Sequence, residues 1–389
     1  MPTRRRFLQA SALVPALDLF AADYDLIVQG GRVLDASQKM DRMADIGIRD
    51  GKIAAIEPSI ASSSAKETID ARGKIVTPGL IDIHTHLADK EMPPAICLAD
   101  GVTSLVDAGS LGAENVGPLI KIAQSAPNRV RILLNIANRG IGGAGELLDI
   151  RSADAAAARR VIEGNRQWIV GIKARLSRSV AGENDLEALR RARQVADPLK
   201  APIMVHVGDT ASPLPAILNL LRPGDIVTHV YSPPPHGIMD DNGRVLPQVL
   251  EARRRGVLFD IGNGRIGHLT WEVAERAIQQ DFLPDTISTD LSAASRTYQV
   301  FNLPNVLSKF LLLGMPLDQV IARVTANAAR AIPEFKAYGT LRTGAVADVT
   351  VLDLKEGDFD FVDNLDVIRR GHRKLVTHAV VVAGKRMQV

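Results

Sequence analysis

His84 and His86 close the run Leu80-Ile81-Asp82-Ile83-His84-Thr85-His86. Successive residues of an extended chain point to opposite faces, so a pair two apart presents both imidazoles to one side. Four further groups able to hold metal or move a proton stand in comparable places. Lys173, His206, His229 and Asp290 each follow a short apolar run, in Gly171-Ile172-Lys173, Val205-His206, Thr228-His229 and Thr289-Asp290. Neutral imidazole nitrogen and carboxylate oxygen are what zinc and its neighbours accept as ligands. Singly, each residue has a plainer reading. A strand-end His is commonly a hydrogen-bonded structural residue, a Lys marks a strand emerging into solvent, and an Asp caps the next helix. It is their shared placement on the ends of strands one, four, five, six and eight that points to a single site.

The elements that must position them can be counted. Eight Val/Ile/Leu-rich runs of the kind buried on both faces cover 80–87, 102–109, 129–138, 168–175, 202–209, 225–232, 257–264 and 286–292. Between most of them lie stretches of helical period, such as 185–199, 245–255 and 271–280, and 316–332 reads as a closing helix. Strands alternating with helices form parallel βαβ units, and eight such units close into a (β/α)8 TIM barrel, whose active site sits at the C-terminal ends of the strands. Both chain ends read differently. Residues 25–34 are strand-like around a Gly30-Gly31 turn, and Asp50-Gly51 marks a hairpin. The stretches 347–353 and 376–382 repeat the pattern near the C-terminus. The expected α/β architecture is thus a barrel over 79–335 inserted into a small β-sandwich domain made from 23–78 and 336–389.

Composition narrows the partners. With 47 Lys+Arg against 44 Asp+Glu, scattered and without interleaved aromatics, nucleic acid is excluded as a natural partner. A single cysteine, Cys97, allows no internal disulfide and no Cys-based zinc motif. Thr3-Arg4-Arg5-Arg6-Phe7-Leu8-Gln9, followed by an apolar run to Leu17, resembles a twin-arginine export signal. Segment 1–22 is therefore expected to direct a periplasmic or exported location; the alternative is a basic tail on a cytoplasmic protein. No segment reads as a membrane span.

Pro78-Gly79-Leu80-Ile81-Asp82-Ile83-His84-Thr85-His86 resembles the first-strand signature of the amidohydrolase superfamily. The resemblance covers nearly the whole chain, including the split β-domain and Gly344-Ala345-Val346-Ala347-Asp348. It implies a metal-dependent hydrolase with a binuclear centre. By that analogy His84, His86 and Asp290 hold the more buried metal, His206 and His229 the more exposed one, and Lys173, carboxylated by CO2, bridges them. The implied ions are two Zn2+, with Mn2+, Fe2+ or Co2+ sharing the same ligands. A bare ammonium is repelled by two dications, whereas a carbamate is an anionic ligand able to bridge ions about 3.5–4 Å apart. The implied nucleophile is a metal-bridging hydroxide, accessible because bound water has a pKa of roughly 7 rather than about 15.7. Asp290 would take its proton and pass it to the leaving group.

Within the superfamily, dihydroorotases usually follow the H-x-H with Arg or Asn, where this chain has Leu87 and Ala88. D-Aminoacylases usually replace the bridging lysine with a cysteine, whereas Lys173 is present here. Gly171-Ile172-Lys173-Ala174-Arg175-Leu176-Ser177 is most similar to the deacetylase-type group, which cleaves acyl esters or amides of small α-substituted carboxylic acids. The implied substrate is a small N- or O-acylated carboxylic acid. A dihydroorotase-like cyclic amidase, an N-acyl-amino-acid deacylase and a non-catalytic barrel used as a binding protein are the other readings. Homo-oligomers are common in the family.

Arg175, two past Lys173 on the same strand face, is the candidate cation for a substrate carboxylate, with an inter-loop salt bridge as its plainer role. Tyr231 is a candidate donor to an oxyanion or else a packed loop tyrosine. Asn263, in Gly262-Asn263-Gly264-Arg265, heads a loop that would touch substrate through backbone groups. His268 reads as a capping or surface residue that could join this loop. His236, His372 and His378 read as structural, and Pro233-Pro234-Pro235 as a stiff rim to the entrance.

Overall fold

The structure, a computed structural model, describes residues 23–142, 145–235 and 237–388. The export-signal pattern of 1–22 and the side chain of His236 lie outside the described residues. Among these residues, two sheets account for the strands. The chain opens with β1 (Tyr24–Asp35), β2 (Met40–Arg49), β3 (Lys52–Glu57), β4 (Ala65–Asp70) and β5 (Ile75–Pro78). Seven short strands follow: β6 (Leu80–Thr85), β7 (Val102–Gly112), β8 (Arg129–Asn135), β9 (Ile169–Arg175), β10 (Ile203–His206), β11 (Ile226–Thr228) and β12 (Leu258–Phe259). The last three are β13 (Val349–Val362), β14 (Ile368–Val382) and β15 (Lys385–Met387).

Strands β6 to β12 pair in sequence order, all parallel. Helices such as Asp185–Leu199 and Trp271–Gln279 connect them. One face of this sheet buries Ile81, Val106, Met204 and Ile226 with Phe335, and the other packs on the helices. Seven strands are formed rather than the eight expected. The eighth run, 286–291, is irregular chain bridged in the parallel sense to both edges, Thr286 to Asp260 and Leu291 to Thr85. Asp290 N donates to His84 O at 2.7 Å, and His86 N to Leu291 O at 2.8 Å. Side chains explain the irregularity. The hydroxyls of Thr286 and Ser288 bind Asp260, and that of Thr289 binds Asp82, and Asp290 has left-handed backbone, so the backbone bonds to both neighbours do not run on as a regular ladder. The expected helix over 316–332 is likewise two, Leu317–Arg323 and Ala326–Ala331. It breaks where the Val324 carbonyl accepts from Ile81 N at 2.8 Å.

The chain ends assemble one mixed sheet in the order β15-β14-β13-β5-β1-β2-β3, with β4 on β1. A single sheet, rather than the two facing layers of a sandwich, encloses Val28, Ile46, Val76, Val349 and Val381. Gly30-Gly31 does not turn the chain. It forms a bulge within β1, which pairs with β4 before it and β5 after it. Asp50-Gly51 does form the expected hairpin, both residues having positive φ, the geometry of a type I′ turn. The hairpin β13–β14 outgrows this sheet. Phe361 and Leu375 on its far half join the core around the parallel strands, and Leu375 N donates to Ser308 Oγ at 2.9 Å.

Candidate metal centre

The polar groups gather at the C-terminal ends of the parallel strands because only there does the chain leave the ladder with side chains still directed inward. His206 ends β10, His84 and Lys173 lie near the ends of β6 and β9, and His229 follows β11. Asp82 fastens the first of these to the segment carrying Asp290. Its carboxyl accepts from Thr289 Oγ1 at 2.6 Å and from His84 N at 3.2 Å. His229 and Asp290 both have left-handed backbone, with φ of 66° and 51°. Strain of about 1–3 kcal/mol per residue persists only where surrounding structure imposes it, and it concentrates at functional sites. Here the imposing bonds include Asp290 N to His84 O and His229 Nδ1 to Gly262 O at 2.7 Å.

Two triads result, His84–His86–Asp290 and His206–His229–His268, each with ligand atoms within 4.8 Å of one another. The hydrogen bonds behind the rings orient them. His84 Nδ1 meets Thr228 Oγ1 at 3.0 Å, and that hydroxyl donates to Asp260. His86 Nδ1 meets Ser110 Oγ at 2.9 Å, which donates to Asp107. His229 Nδ1 meets a carbonyl. In all three the acceptor is already committed or can only accept, so Nδ1 carries a proton and Nε2 is the atom each ring turns inward. His229 Nε2 is fully buried with no hydrogen-bond partner. His86 Nε2 stands 2.9 Å from Asp290 Oδ1, and His84 Nε2 stands 3.3 Å from the same oxygen. Two imidazole nitrogens converging on one carboxylate oxygen form a donor set able to hold a cation. Burial pushes His84 down to about 4 and holds His206 and His229 well below the usual histidine range, so these rings stay neutral. Burial pushes the Asp290 carboxyl up, but the imidazoles of His84, His268 and His86 outweigh it and hold the group well below the usual carboxylate range. This donor set fits divalent metal.

Lys173 lies beneath, its Nζ 3.0 Å from His84 Nε2 and 3.4 Å from Met204 Sδ. Gly109 leaves it room, since a Cβ there would collide with the lysine's Cβ. No carboxylate lies within ion-pair distance of Lys173 among the described residues, and burial lowers it to about 7. Above the triads opens a cavity of about 550 Å³ bordered by Arg175, Pro233, Pro234, Arg265, His268 and Asp290. A second lobe of about 520 Å³ shares Arg175 and Asp290 and reaches His86. Arg175 makes the inter-loop ion pair that is its plainer role. It borders the cavity, and its Nη1 pairs with the buried Glu146 at 2.7 Å.

Three expectations change. His268 is neither cap nor surface residue. Its Nδ1 is 3.0 Å from Asp290 Oδ2, and its ring stacks on His229 at 3.8 Å. No periodicity marks it; the only sequence signal is a histidine within a Gly-rich loop after the seventh run. Tyr231 does not reach the cavity, because its side chain is buried and its hydroxyl donates to Phe282 O at 2.9 Å. Asn263 is also fully buried, donating to Gly264 O and accepting from Lys309 Nζ at 2.9 Å. Its side chain supports the loop from behind, and the loop borders the cavity at Arg265. His372 and His378 remain on β14, near Asp358 and Asp353.

Lys309 supplies a test of this support. Burial lowers it from an ordinary 10.5 to about 7. Between those values the unfolded chain binds a proton that the folded one lacks, so stability rises with pH through the window. Lys309→Met should remove up to about 1.4 kcal/mol per pH unit from that slope, measured by urea unfolding at pH 7, 8 and 9. Parallel slopes for both proteins would show that the lysine does not titrate there.

The amidohydrolase family model matches residues 75–220. A deacetylase of Enterococcus faecalis is 32% identical over 93% of this chain and 99% of its own. A deacetylase of Agrobacterium fabrum is 34% identical over 82% and 81%. Among solved structures, an adenine deaminase superposes with a TM-score of 0.86 at 31% identity, covering 94% of this chain and all of its own. A dihydroorotase superposes at 0.83 and 30%, covering 93% and 97%. Similarity at this level from one end of the described fold to the other leaves one conclusion: the chain belongs to the amidohydrolase family and is a hydrolytic enzyme.

Proposed function

We propose that the protein is a metal-dependent deacylase acting on the acyl ester or amide of a small carboxylic acid. The observation that carries this reading is the pair of triads, His84–His86–Asp290 and His206–His229–His268, at the floor of one cavity. In this reading His84, His86 and Asp290 hold one divalent ion and His206 and His229 a second. Lys173, as its carbamate, would supply a further anionic ligand to that centre, on an eight-unit (β/α) barrel completed by segment 286–291. Two such ions, when bound, supply a water of pKa about 7 and polarise a carbonyl.

The rest falls to the chain. Asp290, kept ionised by its imidazoles, accepts a proton at the cavity floor and returns it to the leaving group. His268 holds Asp290 Oδ2, which fixes the other oxygen toward His84 and His86. Ser110 with Asp107, and Thr228 with Asp260, keep the ligand rings in one tautomer. Arg175, steadied by Glu146, offers its remaining N–H groups to the substrate carboxylate. Arg175→Lys should raise KM about 10–100-fold for a carboxylate-bearing ester, the worth of one charge-assisted hydrogen bond, while leaving an uncharged acetyl ester unaffected. Equal losses on both esters would remove Arg175 from substrate recognition.

Deacetylase-named relatives along most of the chain favour acyl transfer to water. The dihydroorotase and adenine deaminase structures keep ring opening and deamination as the competing readings. The deciding experiment is metal analysis of protein prepared with zinc and bicarbonate, with turnover measured on (R)- and (S)-2-acetoxy acids, N-acetyl amino acids, dihydroorotate and adenine. About two metals per chain with stereoselective deacylation supports the proposal. Turnover of dihydroorotate or adenine alone replaces it, and absence of bound metal overturns it.

A further inference from the structure

We propose that Asn364, carried on the turn of the β13–β14 hairpin, is a positioning residue for the His268 side of the metal centre. The inference rests on the deacylase reading for its consequence in activity, though not for its geometry. Asn364 is almost wholly buried and makes five hydrogen bonds to partners far away in sequence. Its Oδ1 accepts from His268 N at 3.0 Å and Leu269 N at 2.7 Å. Its backbone N donates to Leu269 O at 2.9 Å. Its Nδ2 donates to Gly264 O at 3.0 Å and Gln299 Oε1 at 3.2 Å. One side-chain amide therefore ties together both ends of the segment that carries His268.

That segment has little freedom on its other side. Gly264 presses against the site so closely that a Cβ would collide with Asp290 Oδ2 and His268 Nδ1. Behind it the bonds form a ring. Lys309 Nζ donates to Asn263 Oδ1 and Gln299 O, Asn263 Nδ2 donates to Gly264 O, and Asn364 joins Gly264 to Gln299. The hairpin turn is itself fixed, with Asp363 accepting from Leu365 N and Val367 N and from Trp271 N, and with Trp271 Nε1 donating to Val367 O at 2.8 Å. The ring meets the site through Gly264, which lies against Asp290 and His268, and through the His268 backbone. A buried amide so placed acts on the site by setting where an imidazole stands, and through it the sheet built from the chain ends reaches the centre.

The test compares wild type, Asn364→Ala and Asn364→Asp. Asn364→Asp keeps the acceptor for His268 N and Leu269 N but loses the donor to Gly264. Hydrogen exchange of the metal-free protein reads the clamp directly. Asn364→Ala should lower protection of the 264–270 peptide at least about tenfold with the rest of the fold unchanged, and Asn364→Asp should retain most of it. Titration with Co2+ reads the consequence. Asn364→Ala should weaken one of two equivalents by about 10–100-fold and spare the other, and kcat should fall more than KM rises. Unchanged exchange and unchanged cobalt affinity in Asn364→Ala would overturn the proposal. A lower melting temperature with both cobalt affinities intact would also overturn it, reducing Asn364 to a purely structural contact. Should Asn364→Ala fail to fold, Asn364→Asp decides alone: exchange as fast as in an unclamped loop contradicts the geometry. If wild type binds no Co2+, the deacylase reading fails while the exchange data still judge Asn364.

Discussion

Lys173→Ala is expected to lower kcat/KM for an acylated acid by about 10³-fold and to reduce bound metal from two equivalents to one. The magnitude follows from the several kcal/mol that a second Lewis-acidic ion supplies. The structural ground is the setting of the amine. Lys173 is buried among neutral imidazoles, with no carboxylate at ion-pair distance among the described residues and its Nζ held toward His84 Nε2. A permanent ammonium is poorly served there, since burial disfavours the charge and the rings offer only one lone pair at contact. With the group brought to about 7, the free amine is abundant at neutral pH, and the amine is the form that adds CO2. The measurements are metal content by elemental analysis and steady-state kinetics, repeated for wild type stripped of bicarbonate. The stripped wild type should behave as the alanine variant does and recover when bicarbonate returns. Full turnover by Lys173→Ala with two metals bound would remove the bridge from the account.

Asp290→Asn is expected to cut kcat by about 10²–10⁴-fold, the range for losing a positioned proton carrier, with a much smaller change in KM. Asp290 touches His86 and His84 with one oxygen and His268 with the other. An amide keeps the shape, yet it cannot accept a proton at neutral pH, and its NH2 end can only donate. Because the folded carboxylate lies well below its ordinary range, this residue also stabilises the fold above the ordinary pH for a carboxyl, and that contribution fades as acid approaches its depressed value. The asparagine variant loses it. Comparing kcat, metal content and acid unfolding separates the effects. A variant that keeps both metals yet turns over at the wild-type rate would exclude Asp290 as the proton carrier.

Most of the six groups that sequence analysis singles out owe their legibility to rules that operate within a few residues. Alternation along an extended chain places His84 and His86 on one face, and a short apolar run ahead of Lys173, His206 or His229 marks a strand about to end. The same rules count the parallel strands through β11. They weaken at 257–264 and 286–292, where hydroxyls on Asp260 and Asp82 and left-handed residues replace a regular ladder. There the composition still reads as strand, and backbone bonds still reach both neighbours, but side-chain bonds and left-handed residues interrupt them.

Tertiary structure decided the rest, because the deciding contacts join residues far apart in the chain. His268 sits in a loop with no period. It becomes part of the site only because Asn364, on a hairpin from the terminal sheet, holds its backbone while Gly264 admits no side chain beneath it. Tyr231 and Asn263 stand beside site residues in sequence, but their partners, Phe282 O and Lys309 Nζ, draw them into the interior. A residue's position along a strand is set by the local backbone and can be read from neighbouring letters. Whether its side chain meets water, a ring or a buried lysine depends on segments brought together only when the sheets pack, and for this protein that separates the metal-ligand candidates from the residues that hold them in place.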